Sequence, residues 1–318
     1  MKPLRIGTRS SALALWQANY VRQALAKACG VEPEIIPIRT VGDRLQSASV
    51  AEVNEAIGAE GGKGIFIKEI EDALLSGSVD LAVHSMKDVP TEIPQGLAFA
   101  AITRRDDPRD CLISHDGLTL ERLPQGARVG TSSLRRQAQL RHHRPDLRAL
   151  DLRGNVDTRL KKVAAGEFDA IILAVAGVTR LGASHRITEI LSSEVMLPAV
   201  GQGALGIEIR EDDHDTSEQV ALLDHAETRA CVGAERALLR ELEGGCQVPL
   251  GAWARMEKTG EIFLQSCVLS PDGVQFVRGE ERGAAADAEA IGENLAATLI
   301  AAGADRILRL AGNAAGKS

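Results

Sequence analysis

Thr131-Ser132-Ser133 precedes Leu134-Arg135-Arg136, and this is the most chemically suggestive stretch of the chain. Serine and threonine are favoured helix N-caps. The free N–H groups and the dipole of a helix start attract anions. Two arginines in that first turn oppose the dipole, so local helix stability does not account for them. A bound carboxylate or phosphate would, and the planar guanidinium fork suits a carboxylate. Thr8-Arg9-Ser10-Ser11 repeats the device near the N-terminus. A solvated surface explains each arginine singly, but explains the set with Arg153 and Arg159 less well.

His84-Ser85-Met86-Lys87-Asp88-Val89-Pro90 follows an apolar strand, at the end where α/β proteins place ligands. Lys87 and Asp88 read either as a surface pair or as a cation beside a general acid. Gly61-Gly62-Lys63-Gly64 resembles a phosphate loop, but Ile57 and Gly64 break the Walker pattern. It reads as a mobile loop carrying a cation, and equally as a plain surface turn. Gly201-Gln202-Gly203-Ala204-Leu205-Gly206 satisfies the dinucleotide fingerprint. A strand-like Ile207-Glu208-Ile209-Arg210 follows where a helix is needed, so a tight crossover is the better reading.

Glu243-Gly244-Gly245-Cys246-Gln247-Val248-Pro249 places Cys246 on a constrained loop. The other cysteines, Cys29, Cys111, Cys231 and Cys267, read as small buried hydrophobes. No histidine lies near Cys246 in sequence, which argues against a protease-like nucleophile. His142-His143 lacks ligand spacing and reads as surface, and no metal site is expected.

These residues need a scaffold of strands and helices. Strand patterns at 4–7, 34–39, 79–83, 97–102, 129–130, 147–152 and 170–175 alternate with helical ones at 11–28, 67–75, 134–143 and 156–165. In the first helix Ala12, Leu15, Trp16 and Asn19 follow the helical series. Alternation of this kind predicts an α/β fold. Ile6-Gly7-Thr8 and Val129-Gly130-Thr131 echo one another, as if two lobes each began with the same strand–turn–helix. The polar stretch 103–110 reads as a link between lobes. From 217 the pattern becomes helix (217–242), three strands (251–256, 262–269, 274–280) and helix (284–302), a small α+β domain.

The chain has 318 residues and a net charge of −7. Residues 133–162 hold nine Lys/Arg and three acids, a surplus of six that leaves −13 elsewhere. A basic segment raises a nucleic-acid reading. The acidic remainder and an aromatic content of 3% argue against it, because single strands need stacking platforms. No apolar run is long enough to span a bilayer. No signal-peptide core follows Met1, and five cysteines without a CxxC pair suit a reducing cytoplasm.

Taken together, the segments resemble the hydroxymethylbilane synthase (porphobilinogen deaminase) family. The likeness runs through Arg9/Ser11 with 13–17, 61–64, 83–90, 130–136, 152–156, 197–203 and 243–249, in the family's order. It implies an α/β fold of two lobes like type II periplasmic binding proteins plus a small C-terminal α+β domain. The expected division is 1–103 with 204–221, then 104–203, then 222–318. It implies a dipyrromethane cofactor on Cys246 through a thioether, porphobilinogen as substrate, and four deaminative additions before hydrolytic release of a linear tetrapyrrole. Asp88 and Lys87 take catalytic roles by this resemblance. Asp88 would stabilise the cation formed as ammonia leaves. Cofactor contacts fall on Arg135, Arg136, Ser133, Thr131, Lys87 and Asp88. Substrate contacts fall on Arg9, Ser11, Arg153, Arg159, Arg180, Lys63, Phe66 and Gln202. A six-ring chain carries twelve carboxylates, and the arginines are their natural counter-charge. The segment 46–60, with three glutamates, looks longer than the family norm. A cytoplasmic monomer, with no nucleic-acid or membrane partner and a transient hand-over to uroporphyrinogen-III synthase, is expected. The rival reading is a two-lobed anion-binding protein without chemistry, which gives Cys246 no task.

Overall fold

A computed structural model describes residues 4–40, 67–242 and 248–315, the last five by backbone alone. The elements are β1 (Arg5–Arg9), α1 (Ala12–Cys29), β2 (Glu34–Ile38), α2 (Lys68–Leu75), β3 (Leu81–Ser85), β4 (Leu97–Ile102), β5 (Asp110–Ser114) and β6 (Arg128–Gly130). There follow α3 (Leu134–His143), β7 (Arg148–Leu150), α4 (Val156–Ala164), β8 (Ala170–Ala174), α5 (Val175–Arg180), β9 (Glu189–Ile190) and β10 (Leu205–Arg210). The rest are α6 (His214–Ala221), α7 (Ala226–Glu241), β11 (Leu250–Met256), β12 (Glu261–Leu269), β13 (Phe276–Ala284), α8 (Ala288–Ala301) and α9 (Ala304–Ala315). Two compact units result, residues 1–105 with 204–229, and residues 106–203 with 230–318.

The first unit holds a sheet in the order β2-β1-β3-β10-β4. Strands β2, β1 and β3 run parallel, and β10 runs antiparallel between β3 and β4. The second unit repeats the plan as β7-β6-β8-β5-β9, with β5 antiparallel between β8 and β9. The short echo of Gly-Thr and serines therefore falls on equivalent strands, β1 and β6. Helices on both faces cover such sheets, which is why β8 reads Ala-Ile-Ile-Leu-Ala and is buried throughout. The second unit also contains the antiparallel sheet β11-β12-β13, whose Ala252, Ala254, Ile262 and Leu264 pack on Leu238 of α7 and Leu295 of α8. This is the α/β architecture expected, with an α+β portion at the C-terminal end.

Several elements depart from the sequence reading. Helix α1 buries Ala14, Gln17, Ala18, Val21 and Leu25 rather than the face of Trp16, and Trp16 stacks on Tyr20 at the surface. The helix expected over 217–242 is two helices. Between them the Asp224 carboxylate accepts from the Ile102 N–H at 2.7 Å and the His225 N–H donates to the Ile102 carbonyl at 2.9 Å. That bonding to the end of β4 competes with helix continuation. The stretch 103–110 ends in a strand, because Asp110 already pairs with Ala174 of β8. Helix α9 has no counterpart in the sequence reading. Cys29 is exposed, since it ends α1 just before Gly30; Cys111, Cys231 and Cys267 are buried as expected.

Candidate active site

In the first unit, α1 starts at Ser11, whose hydroxyl accepts from the Ala14 N–H at 3.3 Å. Ser11 thus has a capping role of its own, beside the half-buried Arg9 at the end of β1. Strand β3 ends in a single 3-10 turn, Met86–Asp88. Met86 is buried, and its N–H donates to the Ala204 carbonyl at 3.1 Å. Gly206 of β10 leaves room for Met86 and Phe99, since a Cβ there would collide with both side chains. With Met86 fixed, Lys87 is half-buried and Asp88 is exposed at the strand's C-terminal end. Behind them lies a buried pair, His84 Nε2 to Glu208 Oε2 at 2.9 Å.

In the second unit, α3 begins after Ser133, which makes no side-chain capping bond. Thr131 is buried, with its hydroxyl accepting from the Ser133 N–H at 3.3 Å. Arg135 and Arg136 do not lie on the surface. Both are buried, and both pair with Asp110, a residue with no exposed surface. Arg135 Nη1 donates to Asp110 Oδ2 at 2.6 Å, and Arg136 Nη2 to Oδ1 at 2.7 Å. The protein thus supplies one carboxylate to these two arginines from within, and their burial replaces the solvated-surface reading of each. Burial alone would raise the Asp110 carboxyl, yet Arg135 and Arg136 outweigh it and hold it well below the usual carboxylate range.

Gln202 joins this group. Its Nε2 donates to Asp110 Oδ1 at 2.9 Å and to the Pro108 carbonyl at 2.6 Å. The crossover is tight as expected. Gly203 has φ +89°, and a Cβ there would lie 2.6 Å from the Asp106 carbonyl oxygen. Arg180 is spent on the same crossover, with Nε to Asp106 Oδ2 and Nη2 to the Gly203 carbonyl, each at 2.8 Å.

Arg159 of α4 is half-buried and donates through Nε to the Gly154 carbonyl at 2.7 Å. Among the described residues no carboxylate pairs with it. Burial first, and then the charge of Arg136, push its guanidinium down to about 10. Arg153 is exposed on the loop before α4. The structure thus groups Arg135, Arg136 and Gln202 around one acid in the second unit, and Arg159 feels the charge of Arg136. Arg9, Ser11, Lys87 and Asp88 belong to the first. Lys63, Phe66, Cys246 and the segment 46–60 lie outside the described residues. Asp110 escaped the sequence reading; an acid directly ahead of Cys111-Leu112-Ile113 was the available signal.

The comparisons decide the family. A model described as "Porphobilinogen deaminase, dipyromethane cofactor binding domain" matches residues 4–218, and "Porphobilinogen deaminase, C-terminal domain" matches 229–301. The chain belongs to the porphobilinogen deaminase family. A porphobilinogen deaminase of Trichlorobacter lovleyi is 51% identical over 309 residues, which is 96% of each chain. Among solved structures, the VFT2 domain of Bordetella pertussis BvgS is 15% identical with a TM-score of 0.39, covering 70% of this chain and 86% of that one. The methionine-binding protein MetQ is 12% identical at TM-score 0.42, covering 69% and 88%. The family activity is that of a transferase of tetrapyrrole formation, hydroxymethylbilane synthase, with a dipyrromethane-binding domain. Among the described residues no helix is long and apolar enough to cross a membrane.

Proposed function

We propose that this chain performs its family's reaction with Asp88 as the catalytic carboxylate and the second-unit arginines as the counter-charge for pyrrole carboxylates. The observation that carries this is the charge balance of the second unit. Arg135 and Arg136 share a single acid partner, Asp110, and Arg159, which feels the charge of Arg136, pairs with no acid among the described residues. Charges removed from water need partners. A surplus of two cations, buried or half-buried, fits a ligand that brings carboxylates, so the donor set fits dipyrromethane.

Cys246 would hold that cofactor through a thioether, and Arg135, Arg136, Ser133 and Thr131 would border it. When bound, the cofactor supplies a tethered pyrrole with a nucleophilic ring carbon. The chain's own residues do the rest. Arg9, Ser11, Arg153 and Arg159 bind acetate and propionate groups of incoming porphobilinogen. Arg180 and Gln202, already bonded within the crossover, hold its shape around the site. The Asp88 carboxylate accepts pyrrole N–H groups and stabilises positive charge as ammonia leaves. It also takes up the proton lost from the ring carbon when the new carbon–carbon bond forms. Lys87 adds a neighbouring cation, and Lys63 and Phe66 contribute to substrate binding.

Three domains, with boundaries at 103/104, 203/204 and 221/222, suit this division of labour. A monomer working in the cytoplasm, handing product to uroporphyrinogen-III synthase, is part of the same reading. Intact mass spectrometry tests it. Protein from a host that makes porphobilinogen should exceed the chain mass by two pyrrole units, and Cys246→Ala should lose the excess. A bare chain mass with an unmodified Cys246 would overturn the reading and favour the anion-binding rival.

A further inference from the structure

We propose that Asp110 is an internal counter-ion, which lets the anion-binding cluster fold before any ligand carboxylate is present. The proposal rests on the reading that Arg135 and Arg136 receive carboxylates of the bound cofactor.

The geometry gives Asp110 a complete set of donors. Oδ2 accepts from Arg135 Nη1 at 2.6 Å. Oδ1 accepts from Arg136 Nη2 at 2.7 Å, Arg136 Nε at 3.2 Å and Gln202 Nε2 at 2.9 Å. Each arginine is also tied to a carbonyl: Arg135 Nη1 to Leu197 at 2.6 Å, Arg136 Nη1 to Ile172 at 3.1 Å. Both forks are therefore aimed by β5, β8 and the crossover without help from a ligand. Among the described residues Nε and Nη2 of Arg135 have no acceptor within hydrogen-bond distance, which leaves that edge for an outside oxygen.

Asp110 sits at the correct edge of the sheet for this task. It pairs with Ala174, the last residue of β8, and α3 follows the end of β6, the neighbouring parallel strand. Among the described residues its charge offsets one of the guanidiniums of Arg135, Arg136 and Arg159 and leaves a surplus of two. A second buried acid would cancel the attraction for a ligand, and no acid at all would leave two buried like charges, with the half-buried Arg159 nearby, in the unloaded protein. A ligand carboxylate and Asp110 repel each other, so each substitutes in part for the other.

This makes a specific prediction for thermal midpoints of loaded and unloaded protein, prepared from hosts with and without porphobilinogen and distinguished by mass. In unloaded protein, Asp110→Asn should lower the midpoint by about 10 °C, as expected when one partner leaves a buried ion pair. In loaded protein the drop should be no more than half as large. The rise on loading is therefore greater in Asp110→Asn than in the parent. Asp110→Glu, which keeps the charge, should retain the parent's rise. Equal drops in both forms, a smaller rise on loading, or failure of both forms to fold would overturn the proposal. So would Asp110→Glu behaving like Asp110→Asn. A parent chain without adduct or without a rise on loading would instead remove the underlying binding reading, and the counter-ion role with it.

Discussion

At the scale of single residues, burial and neighbouring charge decide how each ionisable group behaves. Glu71 of α2 interacts with the His84–Glu208 pair, and its carboxyl is pushed up from 4.5 to about 7, chiefly by burial and then by the charge of Glu208. A raised carboxyl pKa means that the folded state prefers the proton. Its stabilising effect is full below about pH 4.5 and is lost as pH rises through about 7. Glu71→Gln mimics the protonated form, so its thermal midpoint should decline less between those values. At pH 8 it should be more stable by about 1 kcal/mol, the full shift being discounted for the half-exposed side chain. An unchanged slope in a pH series of melting curves would count against it. Arg159 makes the opposite case, a cation that pairs with no acid among the described residues. Under the proposed reading Arg159→Ala should raise KM for porphobilinogen about tenfold or more, the worth of a charge-assisted hydrogen bond, with kcat changed far less. Steady-state kinetics on loaded protein would show this split.

At the scale of elements, strand β10 forms the bed on which the turn Met86–Asp88 rests. Gly206→Ala would drive a methyl group into Met86 and Phe99. Overpacking of this kind costs about 1–3 kcal/mol. The displaced turn should lower kcat while the intact mass still shows two pyrrole units. Wild-type turnover in Gly206→Ala would separate Met86 from the placement of Asp88. The elements were unevenly legible in sequence. Alternation found most strands to within a few residues, because period and apolar runs are local properties. It chose the wrong face of α1, because Gln17 is buried and Trp16 exposed for reasons of packing against the sheet. It joined α6 to α7, because the competing bonds to Ile102 come from a residue 122 positions away.

At the scale of the whole molecule, a chain of net charge −7 must attract a dicarboxylate substrate. Under the proposed reading the arginines do so only locally, since attraction fades beyond a screening length of about 8 Å at physiological salt. KM for porphobilinogen should therefore rise with ionic strength while kcat stays nearly constant. Kinetics across about 0.05–0.5 M salt would test it, and a salt-independent KM would speak against an electrostatic cradle. The basic segment 133–162 is not a uniform surface patch. Arg135 and Arg136 pair with Asp110, Arg144 pairs with Asp146 at 2.6 Å, and Arg141 donates to the Pro271 carbonyl at 2.6 Å.

By itself the sequence determined the α/β alternation, the echo between the two lobes, and a set of motifs specific enough to place the chain in its family. These rest on residues close together along the chain, where spacing alone carries the information. It also set the arginines of 133–162 close together along the chain. Only the tertiary structure decided what those residues are paired with. Asp110 is 25 positions from Arg135, 26 from Arg136 and 92 from Gln202, and β-pairing with β8 brings it to them. Whether an arginine awaits a ligand or is already answered depends on such distant partners. That is why Arg135 and Arg136 pointed in sequence to a bound anion, while the fold pairs both with Asp110.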